Sequence, residues 1–149
     1  MIIYLGGSIS GKSYEETVAN INDRKYRLQL MGYEVLNPMT AKKAIRNEVT
    51  LKSHGYGNPE STNHAIYGRD KSMVVRSDVL FFDLRGTKER ASQGSCFEMA
   101  WGSFLNKHIV LVMEQDSIHQ HAFVLEAADI IFDNIEDAYS YLEVFAKME

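Results

Sequence analysis

Short apolar runs alternate with longer segments of helical period along this chain. Five runs have the length and composition of buried strands, at residues 2–5, 34–37, 79–83, 109–113 and 129–132. Four segments repeat apolar residues every three or four positions, at residues 14–31, 62–76, 94–105 and 135–146. This alternation is typical of βαβ units. It predicts an α/β fold, a flavodoxin-like (Rossmann-like) three-layer sandwich around a five-stranded, mainly parallel sheet.

The segment at residues 40–60 interrupts this alternation. It is polar, contains Gly55, Gly57 and Pro59, and is longer than an ordinary connection between elements. We expect it to form a lid or a substrate loop.

Composition narrows the function classes. A length of 149 residues predicts a single domain over residues 1–149. A formal charge of −4 lacks the positive footprint that polymeric nucleic acid requires, and no basic run indicates a membrane surface. No segment has the length of a membrane span, and no signal pattern opens the chain. Together with the single cysteine, Cys96, this predicts a cytoplasmic protein.

Residues 6–13, GGSISGKS, match the phosphate-loop pattern G-x-x-x-x-G-K-[ST] directly after the first predicted strand. The next residues argue against a nucleoside triphosphatase. Ser13 and Glu16 form a capping box, which occupies the hydroxyl that would hold magnesium. Glu15 and Glu16 would also repel a triphosphate at this helix start. We therefore favour a glycine-rich turn and keep the triphosphatase as an alternative.

Two carboxylates fall on predicted inward helix faces. Asp70 shares a face with Ile66 and Met73 in the second helix, and Glu98 lies beside the apolar Phe97, Ala100 and Phe104 in the third. A buried carboxylate costs several kcal/mol unless it has a partner, so two of them suggest a polar pocket. The structural alternative is that each caps a backbone amide or pairs with an arginine such as Arg69 or Arg85.

Several small or polar residues end the predicted strands. Gly6, Gly7, Asn37 and Asp83 all lie at strand carboxyl ends. Ligands of open α/β sheets bind at this edge, so we expect the pocket there. The helix that carries Glu98 opens with Ser92-Gln93-Gly94-Ser95, whose amides could hold an anion.

Five stretches of the chain resemble the nucleoside 2-deoxyribosyltransferase family and its relatives that hydrolyse deoxynucleoside 5′-monophosphates. They are IYLGGSISG, GYEVLNPM, RD followed by SDVLFFDL, GSCFEMAWG and KHIVLVM, within residues 2–113. The most specific pattern is G-[ST]-x-x-E, here Gly94, Ser95 and Glu98. Some nucleoside-monophosphate phosphoribohydrolases have a similar pattern, so it indicates the chemistry more securely than the substrate.

The resemblance implies a role for each of three residues. Glu98 corresponds to the nucleophile, which forms a covalent ester with deoxyribose. Tyr4 corresponds to the tyrosine that holds this carboxylate, and Asp70 to the aspartate that handles the base and its proton. The Gly6-Gly7 turn would let the substrate approach the backbone closely, because glycine lacks a Cβ. The resemblance also implies a homo-oligomer, with pockets near the subunit interfaces.

Ser92 departs from the transferase pattern. Transferases of this family usually have an aspartate six residues before the nucleophile, where it contacts the sugar hydroxyl; the monophosphate hydrolases have a serine that binds the 5′-phosphate. Ser92 and Ser95 could bind a phosphate by hydrogen bonds, or Asp83 could supply the missing sugar contact. Both possibilities stay open.

These observations predict an enzyme that transfers deoxyribose from a 2′-deoxynucleoside to a free nucleobase without a cofactor. The alternatives are a 2′-deoxynucleoside 5′-monophosphate N-glycosidase with water as acceptor, and a non-catalytic nucleotide-binding module. His119-Gln120-His121 has a metal-like spacing but no third ligand nearby in sequence, so we expect no metal site. By the family resemblance, His121 or Phe123 could instead reach a neighbouring subunit.

Overall fold

Five parallel strands form the central sheet in a computed structural model, which describes residues 1–148. The strand order is β2-β1-β3-β4-β5, which confirms the predicted flavodoxin-like sheet. The strands are β1 (Ile2–Gly7), β2 (Glu34–Leu36), β3 (Val79–Asp83), β4 (His108–Val112) and β5 (Ile130–Phe132). Glu149, the last residue of the predicted single domain, lies outside the described residues.

The four predicted helices are present, each within one residue at either end. The helices are α1 (Tyr14–Leu30), α2 (Asn63–Arg76), α3 (Gln93–Phe104), α4 (Ala122–Ala127) and α5 (Ile135–Ala146). The sequence pattern missed α4, because six residues are too few to show a helical period. No helix within residues 1–148 combines the length and the apolar character that crossing a membrane requires.

Alternation along β1 divides the interior into two cores. Ile3 and Leu5 pack on the face covered by α1 and α5, whereas Tyr4 packs on the opposite face, which α2, α3 and α4 cover. This produces the predicted three layers. It also buries the Tyr4 side chain beneath α2 and α3.

Helix α3 packs on the sheet through small residues. Gly102 touches the sheet so closely that a Cβ there would overlap with the Leu80 side chain. The expectation that Phe97 and Phe104 pack inward beside Glu98 is wrong, because both side chains are exposed. The side of α3 that carries Ser95, Glu98, Met99 and Gly102 faces the sheet, so Phe97 and Phe104 fall on its outward side.

The segment at residues 40–60 is packed against the body of the protein. Ile45, Leu51 and Tyr56 are buried in the core on the α1 side. The Leu51 carbonyl accepts a hydrogen bond from the Gly11 amide at 2.9 Å, and the Glu48 carbonyl accepts one from the Tyr14 amide at 3.0 Å. The segment is therefore tied to the start of α1, and its role as a lid or a substrate loop stays a prediction.

Candidate active site

A hydrogen bond between two buried side chains forms the centre of the site. The Tyr4 hydroxyl donates to Glu98 Oε1 at 2.9 Å. Tyr4 has no exposed surface, and Glu98 is 7% exposed. The contact holds one carboxylate oxygen in place and leaves Oε2 without a protein donor within residues 1–148. Tyr4 on strand β1 and Glu98 on helix α3 are 94 residues apart in sequence, so the fold brings them together to position one carboxylate.

The start of α3 is fixed by a small hydrogen-bond network. Ser92 is the N-cap, and its hydroxyl accepts from the Ser95 amide and bonds to the Ser95 hydroxyl at 2.9 Å. The Ser92 amide donates to His119 Nε2 at 2.8 Å. Burial lowers the pKa of His119, which favours the neutral ring that can accept this bond. His119 therefore anchors the helix that carries Glu98.

The two histidines considered as metal ligands have structural contacts. His119 binds the Ser92 amide as described, and His121 caps α4 through a hydrogen bond from the Phe123 amide to Nδ1. Within residues 1–148, no three His, Cys, Asp or Glu side chains lie close enough to hold a metal ion.

Asp70 and Lys42 lie close enough to Glu98 to act on its charge. Asp70 Oδ1 is buried without a hydrogen-bond partner within residues 1–148. Burial raises the pKa of Asp70, while the charges of Lys42 and Arg69 oppose that rise. Burial and the Asp70 charge raise the pKa of Glu98 to about 8, against the opposing effects of Tyr4 and Lys42. The site therefore combines two carboxyl groups that resist ionisation with a buried ammonium group.

The glycines at the end of β1 are required by the sheet itself. A Cβ at Gly6 would overlap with the Phe82 ring on the neighbouring strand. Gly7 has a φ of +152°, and a Cβ there would lie 2.7 Å from the Asp83 carbonyl oxygen. Strand packing thus accounts for both glycines, and close substrate approach at this turn stays a prediction.

Asn37 has a structural contact, and Asp83 lies on the opposite side of the sheet from Glu98. Asn37 Oδ1 accepts from the Met39 amide at 3.0 Å and shapes the turn after β2. The Asp83 side chain faces the α1 side of the sheet and binds Arg85 through two hydrogen bonds of 2.9 Å. Burial raises the pKa of Asp83, but the bonds to Arg85 and the charges of Arg24 and Arg85 together outweigh burial and leave the pKa lowered. Of the other sequence-predicted residues, Gly94 is exposed and Ser95 is buried at the start of α3.

The loop that matches the phosphate-loop pattern uses its amides internally. The Gly11 and Tyr14 amides donate to residues 51 and 48, and the Glu16 amide donates to Ser13 Oγ at 3.0 Å. The predicted Ser13 cap is therefore present, and these amides are not free to bind phosphate. A cavity of about 160 Å³ adjoins the loop on the α1 side of the sheet, and neither Glu98 nor Asp70 lines it.

Sequence reasoning missed Lys42 and misread His119. Lys42 stands in a polar segment without periodicity, between the exposed residues Ala41 and Lys43. His119 attracted attention as a metal ligand because of its spacing from His121. Lys42 differs from the other residues of this polar segment in being a buried lysine. Its burial can be seen only in the folded structure, so no sequence signal identifies it.

The buried Glu98 carboxylate is expected to destabilise the protein at neutral pH. Its pKa in the folded state, about 8, exceeds the ordinary value of 4.5, so stability falls as pH rises through that interval. Glu98→Gln should raise the unfolding free energy at pH 7 by about 1–2 kcal/mol, which corresponds to roughly 2–8 °C in Tm. Calorimetry from pH 4 to pH 8.5 should show this gain shrinking towards pH 4.

The matched control is Glu126→Gln on the surface of α4, which should leave Tm and its pH dependence unchanged. An equal Tm for Glu98→Gln and the parent protein at pH 8 would contradict the electrostatic description of the site.

Comparisons with known proteins agree with this geometry at the level of fold and family. A 2-deoxyribosyltransferase from Bacillus psychrosaccharolyticus is similar in structure, with a TM-score of 0.68 and 16% identity over 95% of this chain and 92% of that chain. A CMP N-glycosidase from Clostridium botulinum has a TM-score of 0.59 and 15% identity over 97% of this chain and 99% of that chain. A comparison with curated protein sequences gives no match.

Family membership rests on a separate sequence comparison. The model of the family described as nucleoside 2-deoxyribosyltransferase matches residues 3–137, a range that includes Tyr4, Asp70 and Glu98. Since the match extends over most of its length, the chain belongs to the nucleoside 2-deoxyribosyltransferase family.

Proposed function

We propose that this protein transfers 2-deoxyribose from a 2′-deoxynucleoside to a free nucleobase, with Glu98 as nucleophile. The observation that carries the proposal is the Glu98 carboxylate, buried under α3 and held by the Tyr4 hydroxyl at 2.9 Å. A carboxylate nucleophile must be rigid and desolvated, and both conditions hold at this position. The single half-buried thiol, Cys96, is consistent with action in the cytoplasm.

The reaction proceeds by two displacements. Glu98 attacks the anomeric carbon C1′, and a new C–O bond forms as the N-glycosidic bond breaks. The base leaves with the electron pair of that bond and takes a proton from Asp70. A second nucleobase then attacks C1′ through a ring nitrogen, releases the Glu98 carboxylate and returns its proton to Asp70. Two inversions give net retention at C1′.

Two electrostatic effects support these roles. Burial raises the pKa of Asp70, which suits a group that must hold a proton for the leaving base. The bond from Tyr4 favours the ionised form of Glu98, the form that attacks, against the burial and the Asp70 charge that raise the pKa of Glu98 to about 8. At pH 7 Glu98 therefore reacts from the ionised fraction of the molecules. Both carboxyl groups lie on helices, which keep their separation constant during the reaction.

A second candidate within the same chemistry is hydrolysis of 2′-deoxynucleoside 5′-monophosphates. The observation that favours it is the pair of hydroxyl groups at the start of α3. Ser92 and Ser95 Oγ lie 2.9 Å apart, six and three residues before Glu98. Two hydroxyls and a helix N-terminus can bind a phosphate, and water would replace the acceptor base.

We further propose that the protein acts as a homo-oligomer with pockets near the subunit interfaces. Helices α3 and α4 carry exposed aromatic rings at Phe97, Phe104 and Phe123. Such large apolar side chains on one side of the sheet are typical of a surface that another subunit covers. Ser92 and Glu98 belong to the same helix α3, so an interface here would lie close to the site.

Base release is the first test of the proposed chemistry. Glu98→Ala should reduce the release of free base by at least about 10³-fold, because it removes the nucleophile. Chromatography of deoxyadenosine and deoxycytidine, each with and without a free acceptor base, measures base release and transfer together. The parent protein should form the exchanged nucleoside.

Glu126→Gln is the matched control and should keep full activity. Undiminished turnover in Glu98→Ala would contradict the mechanism, and no base release by the parent protein would favour the non-catalytic nucleotide-binding module.

Substrate preference separates the two candidates through Ser92. If the Ser92 hydroxyl binds a 5′-phosphate, the parent protein should cleave deoxynucleoside monophosphates faster than nucleosides. Ser92→Ala should then reduce this preference by about 10-fold, because it removes one or two hydrogen bonds to a charged group. The measurement is the ratio of kcat/KM for deoxycytidine monophosphate and deoxycytidine. Equal kcat/KM for both substrates in the parent protein would exclude the phosphate role and leave the transferase.

Oligomer size tests the proposed interface. Phe104→Glu places a charge on the exposed aromatic surface and should convert the oligomer to monomer, as measured by sedimentation velocity. Val144→Glu, on the exposed side of α5, is the matched control and should keep the parent assembly. A monomeric parent protein would contradict the proposal.

A further inference from the structure

Lys42 is a buried cation that no role described above requires. It is only 3% exposed, whereas its neighbours Ala41 and Lys43 are exposed. Its ammonium makes no direct hydrogen bond or ion pair within residues 1–148. Burying an ammonium costs several kcal/mol unless opposite charges compensate it, so this position demands an explanation.

The backbone before Lys42 is strained in a way that turns the side chain inward. Ala41 has a φ of +60°, the left-handed region that a residue with a Cβ rarely adopts. This conformation costs roughly 1–2 kcal/mol in a non-glycine residue. The turn is held by hydrogen bonds from the Lys42 amide to the Met39 carbonyl at 3.2 Å and from the Ile45 amide to the Lys42 carbonyl at 3.1 Å. The folded state therefore carries the cost of backbone strain at Ala41 and of desolvation at Lys42.

The charged groups around Lys42 come from two other elements. Helix α2 supplies Asp70 and Arg69, and α3 supplies Glu98. The two carboxylates attract the ammonium, and Arg69 repels it. Arg69 donates from Nη1 to the Glu60 carbonyl at 2.7 Å, and its charge acts on Asp70 and not on Glu98. Lys42 is thus the cation that acts on both carboxyl groups.

We propose that Lys42 is a positioning residue, whose buried ammonium lets the Asp70–Glu98 pair give up one proton at neutral pH. This inference rests on the proposed function, in which the pair must carry one proton, on Asp70, and one negative charge, on Glu98. Without a cation, two buried carboxyl groups would retain both protons to higher pH. Lys42 supplies the charge that the singly ionised pair requires.

The electrostatics of the individual groups agree with this role. The Lys42 charge lowers the pKa of Asp70 and of Glu98 against the upward effect of burial. Burial lowers the pKa of Lys42, and Asp70 and Glu98 raise it again. The three groups therefore titrate as one coupled unit, and removal of the cation shifts both macroscopic midpoints of the carboxyl pair upward.

The test compares Lys42→Met, which keeps the length of the side chain and removes its charge, with Lys42→Arg, which keeps the charge. In Lys42→Met the profile of kcat/KM against pH should move to higher pH by about one unit. At a pH on the rising part of the profile, kcat/KM should therefore be roughly tenfold lower than in the parent protein. Lys42→Arg should restore the parent position of the profile. The matched control is Lys43→Met, the exposed neighbour, which should leave the profile unchanged.

A titration that does not depend on turnover separates this inference from the proposed function. Carbon-13 NMR of the Glu and Asp carboxyl groups, assigned with Glu98→Gln and Asp70→Asn, reports the midpoints of the pair directly. In Lys42→Met both midpoints should rise, whether or not the protein cleaves a nucleoside. Unchanged midpoints in Lys42→Met would overturn the role of Lys42, even in an active enzyme.

Folding of the variants is checked by circular dichroism. If Lys42→Met does not fold, Lys42→Gln takes its place with the same expected shift. A loss of activity at every pH with no shift of the profile or the midpoints would show that Lys42 only supports the fold, and would also overturn the proposal.

Discussion

The burial of the Glu98 carboxylate against the Tyr4 hydroxyl is the constraint on which the rest of the site depends. A carboxylate in an apolar core requires hydrogen bonds and charge compensation, or it takes up a proton. Tyr4 supplies the hydrogen bond from the sheet, and Lys42 supplies the compensating charge from the loop after β2. Asp70 adds a second carboxyl group and thereby raises the cost of ionising the first. The ionisation of Glu98 therefore depends on the opposing effects of Tyr4, Lys42 and Asp70.

The two faces of the sheet divide the charged residues of this chain into separate groups. Residue alternation on β1 and β3 sends Tyr4 towards α3 and Asp83 towards α1. On the α1 side, Asp83 binds Arg85 and lies near the Arg24 charge, which together lower the pKa of this carboxyl group. On the α3 side, Asp70 and Glu98 have raised pKa values. Raised pKa values of buried carboxyl groups are typical of reacting side chains.

Helix α3 serves both the site and the surface. Its inner side carries Ser95, Glu98, Met99 and Gly102; the helix lies close to the sheet at Gly102, and Glu98 reaches Tyr4. Its outer side carries the exposed Phe97 and Phe104. His119 fixes the start of this helix through the Ser92 amide. A change in the position of α3 would therefore move Glu98, the Ser92 and Ser95 hydroxyls and the proposed interface together.

The sequence by itself determined the fold class, most element bounds and the inward position of Asp70 and Glu98. Strand and helix periods are local properties of the chain, and the cap at Ser13 depends on a residue three positions away. It did not determine α4, which is too short to show a period, or the outward direction of Phe97 and Phe104, which depends on the side of α3 that packs on the sheet.

Only the tertiary structure decided which polar residues meet. Asn37 and Asp83 end strands as predicted, but one shapes a turn and the other faces the opposite side of the sheet. Lys42 enters the site from a polar segment because the left-handed backbone at Ala41 turns it inward, and nothing in the letters around it indicates that turn. Burial and charge compensation depend on contacts between residues distant in sequence, and these exist only once the sheet and its helices have assembled.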